Sequence, residues 1–346
     1  PYYGVPYTSI GKKHANEVGF FVQDEWNVTP KLTVVPGIRV DSHSSGEEYA
    51  TSVKVSDSAF PTTKFSKTTV NPRIAIKYEL TPSLVLRANV GTGFRAPYGF
   101  SEDLHLCSGS PRVWKSSNLK GERAISYNLS ADYYAKKYQF SINIFRTNLK
   151  DKIQFSPADD EVKKFGYSYQ WENVDDAYVQ GVELGAKANL FRNFNAGINW
   201  TFNQGKFKHE RADWSDPNDE TVKEFPQRLQ YAKDSRNISR FPAMTGDIDL
   251  DYTPGTWTFS LTSSLQGRMF IDYNSEDDGA TSKIKKTNTF MIFNCRAAKR
   301  FGTCTVYAGA KNIFSYIQDE KHTDDAAFMY APVYGATWYV GLSVTL

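Results

Sequence analysis

Leu84-Val85-Leu86-Arg87-Ala88-Asn89-Val90 is the stretch from which the fold can be read. In an extended chain Leu84, Leu86, Ala88 and Val90 share one face, and Arg87 and Asn89 share the other. That period of two marks a β-strand with one apolar and one charged face. Working outward, Thr81-Pro82-Ser83 forms a short turn, and a second alternating run, 69–80, precedes it. The same unit recurs along the chain. Paired strands are predicted at 17–28 and 31–42, at 122–134 and 138–153, and at 179–190 and 194–206. Two more pairs lie at 244–253 and 256–270, and at 288–299 and 304–314. A last strand runs over 336–346, which makes thirteen in all.

The charged faces recur too. Val182, Leu184, Ala186, Ala188 and Leu190 oppose Glu183, Lys187 and Asn189, and Ile248, Leu250 and Tyr252 oppose Asp247, Asp249 and Asp251. Charge at every second position suits a strand between lipid and a water-filled or plugged lumen. A soluble sandwich, with its apolar faces turned into a core, would alternate as well. Loop lengths separate the two. Short turns alternate strictly with long connections at 43–68, 96–121, 154–178, 207–243, 271–287 and 315–335. Outer-membrane barrels have short periplasmic turns and long extracellular loops, and a sandwich has no reason for that asymmetry. Trp26, Tyr78, Tyr133, Tyr134, Tyr138, Phe140, Tyr252 and Trp257 flank the short turns, where an interfacial aromatic girdle belongs. The expected fold is an all-β transmembrane antiparallel barrel.

Composition agrees. The 346 residues hold 21 Tyr, 23 Phe and 7 Trp, although only 40% are hydrophobic. Mean hydropathy is −0.51. No apolar run approaches the roughly 18 residues of a membrane helix. The net charge of +3 gives no reason to expect a nucleic-acid partner. Cys107, Cys295 and Cys304 fit no disulfide framework or zinc spacing; Cys295 and Cys304 flank a short turn and could approach each other, but the favoured reading is small residues on a membrane-facing sheet. Pro1-Tyr2-Tyr3-Gly4 is no signal peptide, so more chain is expected upstream. Parity points the same way, since single-chain bacterial barrels have even strand numbers. At the other end Trp338, Val340, Leu342, Val344 and Leu346 alternate to the final residue, as in a closing strand.

Several short boxes now resemble those of TonB-dependent outer-membrane receptors. Phe94-Arg95-Ala96-Pro97 is similar to the FRAP box, and Asn118-Leu119-Lys120-Gly121-Glu122 to the NPNL-x-PE box. Asn312-Ile313-Phe314-Ser315-Tyr316 resembles the NLFD-Y box near the penultimate strand. Ser116-Ser117 stands where Asn-Pro is usual, Gly121 where Pro is common, and Leu346 where the family usually ends in an aromatic residue. The resemblance covers essentially the whole chain. It implies that residues 1–346 are the C-terminal portion of a plugged barrel of about 22 strands. The plug domain, its TonB-contacting box and the first strands would lie upstream. It further implies active import, driven by the TonB energy-coupling complex through the plug, of a large scarce nutrient across the outer membrane of a Gram-negative bacterium. The small-molecule chelates in question are iron-siderophore, haem or cobalamin. A passive channel, or a surface adhesin or glycan-binding barrel, is the alternative, and an upstream plug would decide between them.

No catalytic motif of the GxSxG, HExxH, Walker or GxGxxG kind occurs, so no enzyme and no resident cofactor is expected. The acidic runs Asp159-Asp160-Glu161, Glu276-Asp277-Asp278 and Asp324-Asp325 read as solvated loop charge, with calcium as the alternative. Tyr98, Trp114, Trp171 and Tyr330 lie in predicted loops and suit a flat ligand, and Arg112 and Arg211 could pair with its carboxylates. Equally, those aromatics could pack the loops together. Inward-facing Arg39, Arg73, Arg87 and Glu183 are expected to contact the plug. His105 lies between the first two boxes, where haem-receptor members carry a histidine, and a neutral imidazole there could ligate haem iron. The other reading is a loop-packing histidine. If His105 is a ligand, haemin titration of the full-length protein gives an absorbance response that His105→Ala removes; an unchanged response takes the residue out of that role.

Overall fold

The computed structural model describes residues 9–52, 59–98, 113–165, 167, 169–209, 236–238, 240–270, 287–318 and 330–345. Its strands are β1 (Ser9–Gln23), β2 (Trp26–Thr29), β3 (Leu32–Thr51), β4 (Thr63–Thr81), β5 (Leu84–Arg95), β6 (Val113–Lys115), β7 (Glu122–Tyr134) and β8 (Tyr138–Pro157). They continue as β9 (Tyr169–Phe191), β10 (Phe194–Phe207), β11 (Met244–Tyr252), β12 (Trp257–Gln266), β13 (Phe290–Phe301), β14 (Cys304–Lys311) and β15 (Thr337–Val344). One short helix, α1 (Asp160–Lys163), joins β8 to β9.

All fifteen strands form one sheet, and its main path, β1-β3-β4-β5-β7-β8-β9-β10-β11-β12-β13-β14-β15, has thirteen members. These are the thirteen expected strands, paired antiparallel with their sequence neighbours. β2 continues β1 past Asp24 and Glu25 and pairs with β3. β6 stands off the path and pairs in parallel with β9, an addition the alternation did not show. No described helix is long and apolar enough to cross a membrane.

The short turns are built from local chemistry. Thr29 and Thr81 each precede a proline, and each hydroxyl accepts from the backbone N–H groups two and three residues on, at 3.0–3.2 Å. The hydroxyl thus replaces the turn bonds that the proline cannot donate. Elsewhere Gly255 and Gly302 take φ of +62° and +61°, a region open to glycine without steric cost.

Register settles the two faces. Ile74 pairs with Val90, Ile76 with Ala88, Val90 with Tyr127 and Leu129 with Ile144, so their side chains share the apolar outer face. Ile76, Leu129 and Ile144 are exposed, as a lipid-facing wall requires. Rings at the short-turn end stack along that wall, with Trp257 5.6 Å from Phe259 and Phe191 4.8 Å from Phe194. The inner face carries cross-strand polar bonds: Asn128 donates to Asn89 at 2.9 Å, Asn143 to Glu183 at 2.9 Å and Asn199 to Asp247 at 2.8 Å. Arg87 pairs with Asp132, and Arg39 with Asp41. Three of the four inner-face residues expected to meet a plug therefore have partners in the wall itself.

One expectation needs correction. Much of 43–68 and 154–178 was expected to be loop, yet β3 runs 20 residues and β9 runs 23. About 10 residues suffice to span the membrane, so both strands stand well beyond it. Past the membrane the buried face of β3 carries Asp41, His43, Ser45 and Glu47, polar residues packed under the connections, so the apolar alternation that marks a strand disappears. Cys295 lies opposite Ala310, whereas Cys304 lies opposite Phe301. Six residues of strand, about 20 Å, separate those positions, so these two thiols cannot join.

The face assignment gives a sharp contrast. Ile144→Arg puts a cation on the lipid face and is expected to lower stability by about 2–4 kcal/mol. Asn143→Arg, one residue away and beside Glu183, is expected to cost about 1 kcal/mol or less. Urea unfolding from lipid vesicles measures both; equal losses would refute the assigned faces.

Candidate functional site

Above the membrane the strand extensions and the described parts of the long connections pack into a small buried base. Tyr98, Leu119, Ile153 and Trp171 form its apolar centre, with Phe65 against them. The Tyr98 hydroxyl donates to the Ser116 carbonyl at 2.8 Å and accepts from the Leu119 N–H at 3.0 Å. Tyr98 is 3% and Trp171 8% exposed. These two aromatics, considered as ligand contacts, are structural members of the base in this structure. Trp114 packs on Ala158, Val162 and Tyr167. Tyr330 sits apart, against Met269 and 6.1 Å from Phe290, with its N–H donating to Gln318 at 2.9 Å. His105, Arg112 and Arg211 lie outside the described residues.

The recognisable boxes hold this base together. Phe94 lies 4.9 Å from the His43 ring and 6.1 Å from Phe65. A side chain at Gly121 would run into the Phe94 ring, which explains the glycine there. Arg95 reaches Glu122 at 3.4 Å, and Glu122 also accepts the Ile153 N–H. Ala96 leads into Pro97, which is fully buried. The Asn118 N–H donates to Ser116 Oγ at 3.2 Å. At the other box Asn312, at φ +51°, donates from its side chain to the carbonyls of Tyr316 and Tyr334 at 2.7 and 3.1 Å. It also accepts the Tyr316 N–H at 2.9 Å, so one amide fastens the start of the β14–β15 connection. Phe314 stays exposed, edge-on to Phe293 at 5.3 Å.

Two features escaped the sequence reading. Lys115 on β6 meets Glu47 on β3 at 2.8 Å, with both side chains buried. Tyr49 donates to Glu47 at 2.8 Å, and the Glu47 N–H donates to Thr63 Oγ1 at 3.0 Å. The second is a group of Glu17, Asp41 and His43, whose ligand atoms lie within 4.8 Å of one another. Register brings them together, because Glu17 pairs with His43 and Asp41 shares its face. Arg39 stands among them, 2.6 Å from Asp41 and 3.6 Å from Glu17, and already supplies the positive charge a metal ion would bring. A weak signal existed in sequence, since 39, 41 and 43 alternate on one strand face. Asp159, read as solvated charge, caps α1 by accepting the Val162 N–H at 2.9 Å. None of these arrangements sets a nucleophile beside a base; they hold loops in place.

Burial alone would raise the Glu47 carboxyl, but the Lys115 hydrogen bond and charge and the Tyr49 hydroxyl hold it below its ordinary 4.5. A carboxylate with a depressed folded value stabilises above the unfolded value and loses that contribution as pH falls through the folded one. Acidification below 4.5 is therefore expected to loosen the base before the strands, read by fluorescence of Trp114 and Trp171. At neutral pH Lys115→Met leaves a buried charge and should cost the base about 3–5 kcal/mol. Adding Glu47→Gln should recover much of that loss; a double variant as unstable as the single one would contradict the pairing.

Comparison with known proteins fits this geometry. The family described as TonB dependent receptor-like, beta-barrel matches residues 1–313. The vitamin B12 transporter BtuB of Photobacterium profundum is 26% identical over 266 residues, covering 75% of this chain and 36% of the relative. The ferric enterobactin receptor PirA of Pseudomonas aeruginosa is 21% identical, covering 96% of this chain and 42% of the relative. Among solved structures the copper transporter OprC superposes with a TM-score of 0.69 at 18% identity, over 95% of this chain and 48% of that one. The chain thus spans less than half the length of the proteins it matches. The family match extends over most of a chain whose sheet is laid out as a barrel wall: it belongs to the TonB-dependent receptor-like β-barrel family.

Proposed function

We propose that this chain is the C-terminal barrel portion of a TonB-dependent importer in the outer membrane of a Gram-negative bacterium. The family match carries the reading. The sheet supports it. Among the described residues β1 pairs only with strands on one side and β15 only with β14, and both edges present large apolar groups. Phe20 is 77% and Val340 80% exposed. An unpaired strand edge in lipid is costly, so these edges call for further strands of the same barrel. In this reading a plug fills the lumen, and ligand binds the long loops and the plug apex. Energy delivered through TonB then moves the plug.

The cargo is a metal-bearing small molecule too large to diffuse freely: an iron-siderophore first, with haem and cobalamin as the other members of that class. Its support is the shared chemistry of the relatives, named for vitamin B12, ferric enterobactin and copper. Uptake of labelled ferric siderophore, haemin and cobalamin is compared in cells with and without the gene, and with and without TonB. One cargo should fall by about tenfold or more on either deletion, the size expected when a facilitated route is lost. Uptake that needs the gene and persists without TonB would instead identify a passive channel.

A further inference from the structure

The inner face of β1 and β3 carries a polar hollow that the base of the loops does not use. Phe20 pairs with Val40 and Val22 with Ile38, and all four are exposed on the lipid side. Glu17, Gly19, Arg39, Asp41 and His43 alternate with them and face inward. Register sets Glu17 opposite His43 and Gly19 opposite Asp41. Gly19 opens the hollow, because a Cβ there would strike the Asp41 carboxylate and the Arg39 guanidinium. Into this space turn Glu17, Asp41 and His43, with ligand atoms all within 4.8 Å of one another.

Asp41 and His43 are buried, and each has one polar atom in the hollow and the other fastened behind it. His43 Nε2 lies 3.2 Å from Thr69 Oγ1. Asn71 donates to Asp41 Oδ2 at 3.2 Å and to the same Thr69 hydroxyl at 3.3 Å. In the tautomer that donates from Nε2 to Thr69, His43 Nδ1 turns a lone pair toward Glu17 Oε2, 3.6 Å away. A lone pair and a carboxylate repel each other until a cation stands between them. Their spacing is close to the roughly 3.3 Å that separates two ligands of a tetrahedral zinc ion with bonds of about 2.0–2.1 Å. Outer hydrogen bonds that aim the ligands inward are the construction of a metal site. Arg39 holds the cation's place, 2.6 Å from Asp41 and 3.6 Å from Glu17, and offsets one of their two negative charges. Its side chain is half exposed and can withdraw into the lumen. Lys67, opposite His43, is turned onto the Phe94 ring at 5.4 Å.

We infer that Glu17, Asp41 and His43 bind a divalent transition-metal ion, zinc by preference, in exchange for the Arg39 guanidinium. Charge argues for a divalent ion, since two carboxylates and a neutral imidazole are balanced by two positive charges and only half balanced by Arg39. Ligand type argues for zinc. One imidazole nitrogen with two carboxylates suits zinc, whereas calcium and magnesium call for oxygen ligands throughout. Three protein ligands leave a fourth position for water or a lumenal group, on the side where Glu17 is exposed. The bound ion would clasp β1 to β3 and, through Thr69 and Asn71, both to β4, beside the Phe94 ring that packs on His43.

The test is calorimetric titration of the full-length protein, stripped of metal and free of affinity histidines, with zinc, calcium and magnesium in turn. Zinc should bind, and far more tightly than the other two. His43→Gln or Asp41→Asn should each weaken the zinc event at least about a hundredfold, and Asn71→Leu, which removes only an outer bond, about tenfold or more. Arg39→Gln keeps every ligand and removes the competing cation, so it should tighten zinc about fivefold. Groups that serve only as a wall ion pair would give no such gain. No zinc binding, calcium or magnesium bound as well as zinc, an event untouched by His43→Gln, or an Arg39→Gln variant that binds no tighter would each overturn the assignment. The comparison of three ions needs no variant, so a variant that fails to fold leaves it decisive. Cargo uptake does not enter this readout, so the transport reading and the metal site fail separately.

Discussion

A backbone that crosses lipid must hydrogen-bond within itself, because hydrocarbon offers no partner for an N–H or a carbonyl. Every later feature of this protein follows from the way that constraint is met. Each strand bonds to its sequence neighbour, which leaves two faces and no interior layer. One face meets hydrocarbon and the other a lumen, so apolar and charged residues alternate. The large hydrophobics are consequently exposed, an inversion of a soluble protein that would be unintelligible without lipid around it. The inner face, free of that demand, uses Asn, Asp, Glu and Arg to tie strand to strand.

Beyond the membrane a different problem appears. Strands such as β3 and β9 continue into water, where sheet pairing alone gives little reason to stay ordered. The base of the loops supplies that reason by burying Tyr98, Leu119, Ile153 and Trp171 and by closing the Glu47–Lys115 pair between β3 and the short β6. A buried ion pair is poor evidence of net stability and better evidence of a unique arrangement, since either charge alone is penalised. Here it fixes which connection meets which strand. Under the proposed import function the loops need such a platform, because a ligand site loses affinity when its supports must be ordered at the moment of binding.

What could be read from sequence divides along the same boundary. Within the membrane, Leu84 to Val90 and Trp338 to Val344 declare their faces outright, and the thirteen-strand path follows from such runs. Above it, Asp41, His43, Ser45 and Glu47 occupy one face with polar residues opposite, and no pattern separates strand from loop. The β6–β9 pairing and the Glu47–Lys115 contact join residues far apart in sequence, 68 positions in the second case. Composition gives no hint of which connection folds over which. The boxes at Phe94 to Pro97, Asn118 to Glu122 and Asn312 to Tyr316 were visible as patterns. Their role as fasteners of strand ends was not, because it depends on Phe94 filling the space that Gly121 leaves and on Asn312 bonding three backbone groups.

The same wall also shows where alternation carries information beyond the fold. A strict barrel strand should stay apolar on its outer face until it leaves the lipid. β8 turns polar at Arg146, near where the hydrocarbon ends, and β9 turns with it at Gln180, while β7 keeps Tyr127 and Ile125 at that level. A single cation there could snorkel to water at little cost. Arg146 instead lies across Tyr178 and holds two side-chain amides, on the wall rather than away from it. Outside and inside thus share a construction: polar residues from adjacent strands bonded across the register, facing the lumen within and the upper edge of the apolar band without.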